Sequence, residues 1–204
     1  MKILKINPNK PERELLKLAA GTLENKGLVV TPTDTLYALS ASALDKESIK
    51  KVYKAKGRDF KKPLSIMFYS LSQARKYVKF TSLALKLAEK FLPGPLTIIL
   101  PMKRNFPKEL TGSNKVGIRI PDNRISQGLI KLCRFPITAT SANISGNSDS
   151  VTAEDALNQV GDEVDLILDG GKCRLKKPST VVEIIDDEIR VIREGAIKKS
   201  ELKI

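Results

Sequence analysis

Short β-branched runs alternate with segments of helical spacing along most of this chain, which restricts it to an α/β fold with helices packed on a twisted mixed sheet. The run Leu28-Val29-Val30-Thr31, halted by Pro32, reads as a buried strand. Residues 64–68, 96–100, 116–120, 137–140 and 164–168 read the same way. Upstream, Leu15, Leu18, Ala19 and Leu23 recur on one helical face between Pro11 and Gly27, predicting a helix over 11–26. Asp45 is placed to cap a basic helix through Ser48, Val52 and Tyr53 that stops at Gly57. Further helices are predicted over 70–78, 82–91, 125–132 and 153–160, the last led by Thr152 with Asp155 three residues on. Residues 179–185 and 188–193, separated by Asp186-Asp187, read as a closing hairpin, and 198–204 as a short basic tail.

A chain of 204 residues without a repeat or a Gly/Ser-rich linker is expected to form one domain over 1–204. Its apolar runs are far shorter than the roughly 20 residues of a membrane-spanning helix. The first residues are broken by lysines and by Asn7-Pro8, unlike a secretory signal, so a cytoplasmic protein with no membrane partner is expected. Cys133 and Cys173 stand in unrelated contexts and read as two reduced thiols, and no protein-held metal is expected. The chain has no histidine, which removes the commonest general base and every Ser-His or Cys-His pairing. Its chemistry must rest on Lys, Arg, Asp, Thr, Ser and backbone amides, groups suited to positioning phosphates. A formal charge of +13 favours anionic partners, nucleotides or RNA, or else reflects a lysine-rich solvated surface.

Neither phosphate-binding glycine motif, G-x-x-x-x-G-K-[ST] or G-x-G-x-x-G, is present, so a nucleotide site must be built otherwise. Lys56-Gly57-Arg58 and Lys61-Lys62-Pro63 offer an ammonium and a guanidinium fork around a glycine, although cations at a helix C-terminus are also ordinary. Pro32-Thr33-Asp34-Thr35-Leu36-Tyr37 places hydroxyls and a carboxylate at a strand end, where α/β sheets bind ligands, or forms a plain Asp/Thr turn. Thr138 to Gly146 is a second polar loop after a strand. Arg119, inside the apolar run Val116 to Ile120, needs an anionic partner if it points inward.

The order of these pieces is more specific than any one of them: P-T-D-T-x-Y, K-x-R, K-P-L, P-G-P-x-T, G-I-R-I-P, T-S-A-N-x-S-G, S-T-V-V and R-x-G. From Leu28 to Ala196 the chain closely resembles the YrdC/TsaC family of threonylcarbamoyl-AMP synthases, in its short form. The resemblance implies an enzyme that joins ATP, L-threonine and bicarbonate into threonylcarbamoyl-AMP and pyrophosphate, for modification of the adenosine beside the anticodon. It implies that Thr33, Thr35, Arg119, Ala139 and Ser179 hold threonine. Lys56, Arg58, Lys62, Ser141, Asn143 and Arg193 would surround ATP, with Lys56 and Arg58 as the catalytic pair and Mg²⁺ accompanying the triphosphate. Ala38 and Ser40 stand where the family usually has glycines, and Met67 where some longer members have histidine. Implied partners are tRNA or double-stranded RNA and the tRNA threonylcarbamoyl transferase machinery. Two rival readings are an RNA-binding module without turnover and a YciO-type paralogue, which the stretch through Tyr37-Ala38-Leu39 resembles.

Overall fold

In the computed structural model, which describes residues 2–203, the strands divide between two sheets. They are β1 (Lys2–Lys5), β2 (Val29–Pro32), β3 (Tyr37–Ser40), β4 (Ile66–Met67), β5 (Leu96–Pro101), β6 (Lys115–Arg119), β7 (Ile137–Thr138), β8 (Thr140–Ser141), β9 (Leu166–Asp169), β10 (Thr180–Ile185) and β11 (Glu188–Arg193). One sheet has the order β1-β9-β2-β3-β8, the other β11-β10-β5-β6-β4-β7, and both mix parallel with antiparallel pairs. The helices are α1 (Arg13–Glu24), α2 (Lys46–Lys56), α3 (Leu71–Ala74), α4 (Ser82–Phe91), α5 (Lys108–Thr111), α6 (Arg124–Cys133) and α7 (Ala153–Val160).

The α/β class stands, and the single expected sheet is corrected to two. The expected strand over 137–140 is really two: β7 joins one sheet and β8 the other. Between them the Ala139 N–H donates to the Ser65 carbonyl at 2.7 Å. Two strands were not anticipated, β1, which lies parallel to β9, and β3, which folds back on β2. The polar stretch 33–36 is therefore the turn of a hairpin rather than an open strand end. The helix expected over 70–78 shortens to Leu71–Ala74. The basic tail is docked: Lys199–Leu202 form a 3₁₀ turn and Leu202 is buried.

The helix expected over 11–26 runs over Arg13–Glu24, whereas the caps expected for α2 and α7 are present. The Asp45 carboxylate accepts from the Ser48 N–H at 2.8 Å and Gly57 closes α2 at φ +53°, a left-handed conformation that glycine adopts cheaply. Thr152 and Asp155 form a reciprocal capping box on α7. Period-two alternation sorts the core. Val29, Leu166 and Leu168 face α1 and α6, while Val30 and Ile167 belong to the larger apolar cluster with Ile49, Ile98 and Ile118.

Candidate active site

A cavity of about 400 Å³ lies between the two sheets, and β3, β4, β5, β6, β8, β10 and β11 all contribute side chains to it. Its floor is the turn between β2 and β3. There Thr33 Oγ1 accepts from the amides of Thr35 (3.1 Å) and Leu36 (3.2 Å) and donates to the Leu36 carbonyl at 2.7 Å. The two threonine hydroxyls lie 2.9 Å apart, within hydrogen-bonding distance. The Thr35 oxygen in turn accepts from Arg119 Nη1 at 2.6 Å.

Arg119 points inward from β6, the case in which a partner is required, and is 7% exposed. Nη2 donates to Asp34 Oδ1 at 2.5 Å and Nε to the Gly94 carbonyl at 3.3 Å, so the Pro93-Gly94-Pro95 turn also serves the site. Burial lowers the pKa of the guanidinium and the adjacent Asp34 opposes that fall. Among the described residues, two of the five N–H groups of Arg119 have no acceptor and the buried Asp34 Oδ2 has no donor. Asp34 completes this cluster and was not singled out as a site residue, although the neutralising partner it supplies could be expected from any inward arginine.

One wall carries Thr97 of β5 and Ser179 just before β10, hydroxyl to hydroxyl at 2.9 Å. Arg193 Nη2 donates to the Ser179 carbonyl at 2.8 Å. Gly195 lies against this segment so closely that a Cβ there would stand 2.3 Å from the Pro178 carbonyl oxygen. The pairing of Thr97 with Ser179, far along the chain, has no local signal in the sequence. Opposite, Ala38, Met67 and Ala139 form an apolar patch of the lining.

The structure brings Thr33, Thr35, Arg58, Arg119, Ala139, Ser141, Ser179 and Arg193 to this one cavity. It does not bring Lys56, Lys62 or Asn143 to its surface. Lys56 is 1% exposed, and its ammonium donates to the carbonyls of Ser141 (2.5 Å) and Asn143 (2.6 Å) and to Asn143 Oδ1 (3.2 Å). Burial pushes that ammonium down to about 7, and Arg58 adds in the same direction. The three oxygens supply one acceptor for each N–H of the charged form. In this structure Lys56 is a staple for the loop after β8, not a free cation. Lys62 is exposed and its contacts are main-chain: its N–H donates to the Asp59 carbonyl at 3.0 Å, and its carbonyl accepts from Arg58 Nε at 3.2 Å and from the Tyr53 hydroxyl at 3.0 Å. The Ala139 N–H, engaged with Ser65, is not free for a ligand.

The family profile for Sua5, YciO and YrdC, described as Telomere recombination, matches residues 21–195. This chain belongs to that Sua5/YciO/YrdC family. A Methanocaldococcus jannaschii relative, provisionally named a threonylcarbamoyl-AMP synthase, is 43% identical over 203 residues, covering 98% of this chain and 96% of that one. A Pyrococcus abyssi threonylcarbamoyl-AMP synthase is 35% identical over 92% of this chain, which spans 56% of that protein. The solved structure of P. abyssi Sua5 complexed with L-threonine has a TM-score of 0.92 and 34% identity, over 96% of this chain and 58% of that one. Escherichia coli YciO superposes with a TM-score of 0.90 at 27% identity, over 99% of both chains. The Sua5/YciO/YrdC match takes in every cavity residue discussed above, from Thr33 to Arg193.

Proposed function

We propose that this chain forms threonylcarbamoyl-AMP and pyrophosphate from ATP, L-threonine and bicarbonate. The observation that carries the reading is one partly open cavity lined by three arginines. A buried guanidinium with two unused N–H groups lies on the floor, and the arginines Arg58 and Arg193 line the same space. The relatives named as synthases and the L-threonine complex of P. abyssi Sua5 support it.

In this reading the free N–H pair of Arg119 holds the threonine carboxylate, oriented by Thr35 and kept from excess positive charge by Asp34. The amine adds to carbon dioxide released from bicarbonate, losing a proton to give an N-carboxylate. A carboxylate oxygen then attacks the α-phosphorus of ATP in line, and the bond to the β-phosphate oxygen breaks to release pyrophosphate. No covalent enzyme intermediate and no histidine are needed; the protein aligns two anions that repel each other. Arg58 and Arg193 offset phosphate charge, while Lys56 and Asn143 fix the loop that presents Ser141. Magnesium enters with the triphosphate. Among the described residues no three His, Cys, Asp or Glu side chains are grouped to cage a metal, and Mg²⁺ is typically bound through substrate phosphates with one or two carboxylates. Delivery of the product to tRNA through a transferase belongs to the same proposal.

Purified protein given ATP, threonine and labelled bicarbonate is expected to yield a labelled adenylate, and none when threonine or bicarbonate is omitted. Equal adenylate formation without threonine would overturn the reaction. Salt-sensitive RNA binding with no ATP turnover would favour the RNA-binding module instead. No helix among the described residues is long and apolar enough to cross a membrane.

A further inference from the structure

Two acidic side chains line the cavity, and they differ in how they are used. Glu183 accepts from Lys115 Nζ at 2.6 Å, which neutralises it. Asp149 makes no ion pair and no side-chain hydrogen bond among the described residues, although Arg58 and Arg193 line the same cavity. Its electrostatic influence reaches both Arg193 and Lys56, holding their protons more firmly. Nor is Asp149 on a loose tether. The preceding Ser148 carbonyl accepts from Gln159 Nε2 at 3.0 Å. The following Ser150 is buried, with its hydroxyl on the Ala142 carbonyl at 2.7 Å and its carbonyl accepting from the Tyr37 N–H at 2.9 Å.

An unpaired, exposed carboxylate on a cavity that Arg58 and Arg193 also line works against bare ATP, because it repels the phosphates the arginines attract. A hard divalent cation resolves it, since carboxylate and phosphate oxygens are its preferred ligands and one dication turns the repulsion into a bridge. Resting on the proposed use of this cavity for ATP, we infer that Asp149 is the protein's ligand to the magnesium ion of bound Mg·ATP. Its carboxylate makes the site discriminate Mg·ATP from free ATP, a selection that the arginines alone do not provide.

The test is calorimetric binding of ATP in EDTA and of ATP in excess Mg²⁺, to wild type and to Asp149→Asn. A parallel reading of water-proton relaxation uses Mn²⁺ with ATP. Wild type is expected to bind ATP more tightly with magnesium. Asp149→Asn is expected to bind metal-free ATP more tightly than wild type. It should also lose about tenfold of the gain from magnesium, the worth of one charge-assisted contact, with a weaker enhancement from bound Mn²⁺. A wild-type affinity indifferent to magnesium, or full magnesium gain retained in Asp149→Asn, overturns the assignment and leaves the proposed reaction standing. Failure of wild type to bind ATP with or without metal overturns both.

Discussion

The Lys56 ammonium binds Asn143 twice, through its main-chain carbonyl at 2.6 Å and its side-chain oxygen at 3.2 Å, across 87 residues of sequence. A lysine that reads as a phosphate ligand thus has all its donors committed inside the protein.

Lys56 and Arg58 should therefore fail in different ways. Each buried oxygen left without a donor costs about 1–3 kcal/mol, so Lys56→Met is expected to lower stability by roughly 3 kcal/mol or more. The half-buried guanidinium of Arg58 donates to the loop carbonyls of Lys62 and Pro63. Arg58→Ala is expected to cost less than about 1 kcal/mol of stability and about 10²- to 10³-fold of adenylate formation. Urea denaturation beside turnover separates them, and matching midpoints for the two variants would contradict the staple.

Arg119→Ala leaves the Asp34 carboxylate buried and uncompensated, a change expected to cost about 3–5 kcal/mol. The double variant with Asp34→Ala should lose clearly less than the sum of the two single losses, as a double-mutant cycle in denaturant would record. Loss of activity in Arg119→Ala alone thus does not report on threonine binding. Arg119→Lys is the sharper probe: a point charge cannot replace the planar fork, so the KM for threonine should rise more than the KM for ATP. Equal increases in the two would remove Arg119 from the threonine end.

Much of this was legible in the sequence and some was not, for reasons of range. Local chemistry, such as the Asp45 cap, the Thr152 capping box and the Asp186-Asp187 turn with φ of +50° and +59°, is written within a few residues of where it acts. Strand β3, Tyr-Ala-Leu-Ser, has no β-branched residue and is a strand because β2 and β8 pair with it. Strand β1 is four residues with lysine at both ends, held at a sheet edge by β9. The division at Ala139 is invisible because 137–140 reads as one run whichever sheet receives it. Eight of the eleven residues singled out in the sequence line the cavity, but the direction of Lys56 depended on carbonyls of a distant loop.

Gly195→Ala tests the R-x-G motif. The added methyl would meet the backbone of Pro178 and Ser179 at 2.3–2.7 Å, and backbone cannot swing aside. A loss of about 1–3 kcal/mol and a displaced Ser179 are expected, raising KM for at least one substrate. Gly21→Ala, in α1 with nothing within 4 Å, should instead add about 0.5–1 kcal/mol and leave kinetics unchanged. A neutral Gly195→Ala would show that the contact relaxes freely.

Burial raises the Cys133 thiol from 9.0 to about 12, with Glu24 adding to it. Between those values the unfolded chain gives up a proton that the folded protein keeps, so stability falls as pH rises, by about 1.4 kcal/mol for each unit from this group. Denaturation midpoints under reducing conditions at about pH 8 and about pH 10 should move apart less in Cys133→Ala than in wild type. Identical shifts would place the effect elsewhere.

The chain passes from one sheet to the other within a single residue, Ala139, whose amide is pinned to Ser65. With β7 and β8 joined to opposite layers at that residue, and Arg119 of β6 bonded to Thr35 and Asp34 beside the other sheet, the two layers are cross-tied at the base of the cavity. The floor of the cavity therefore keeps a fixed gauge. The more exposed lining residues, Arg58, Asp149, Ile192 and Arg193, are the ones left free to shift as substrates enter and leave.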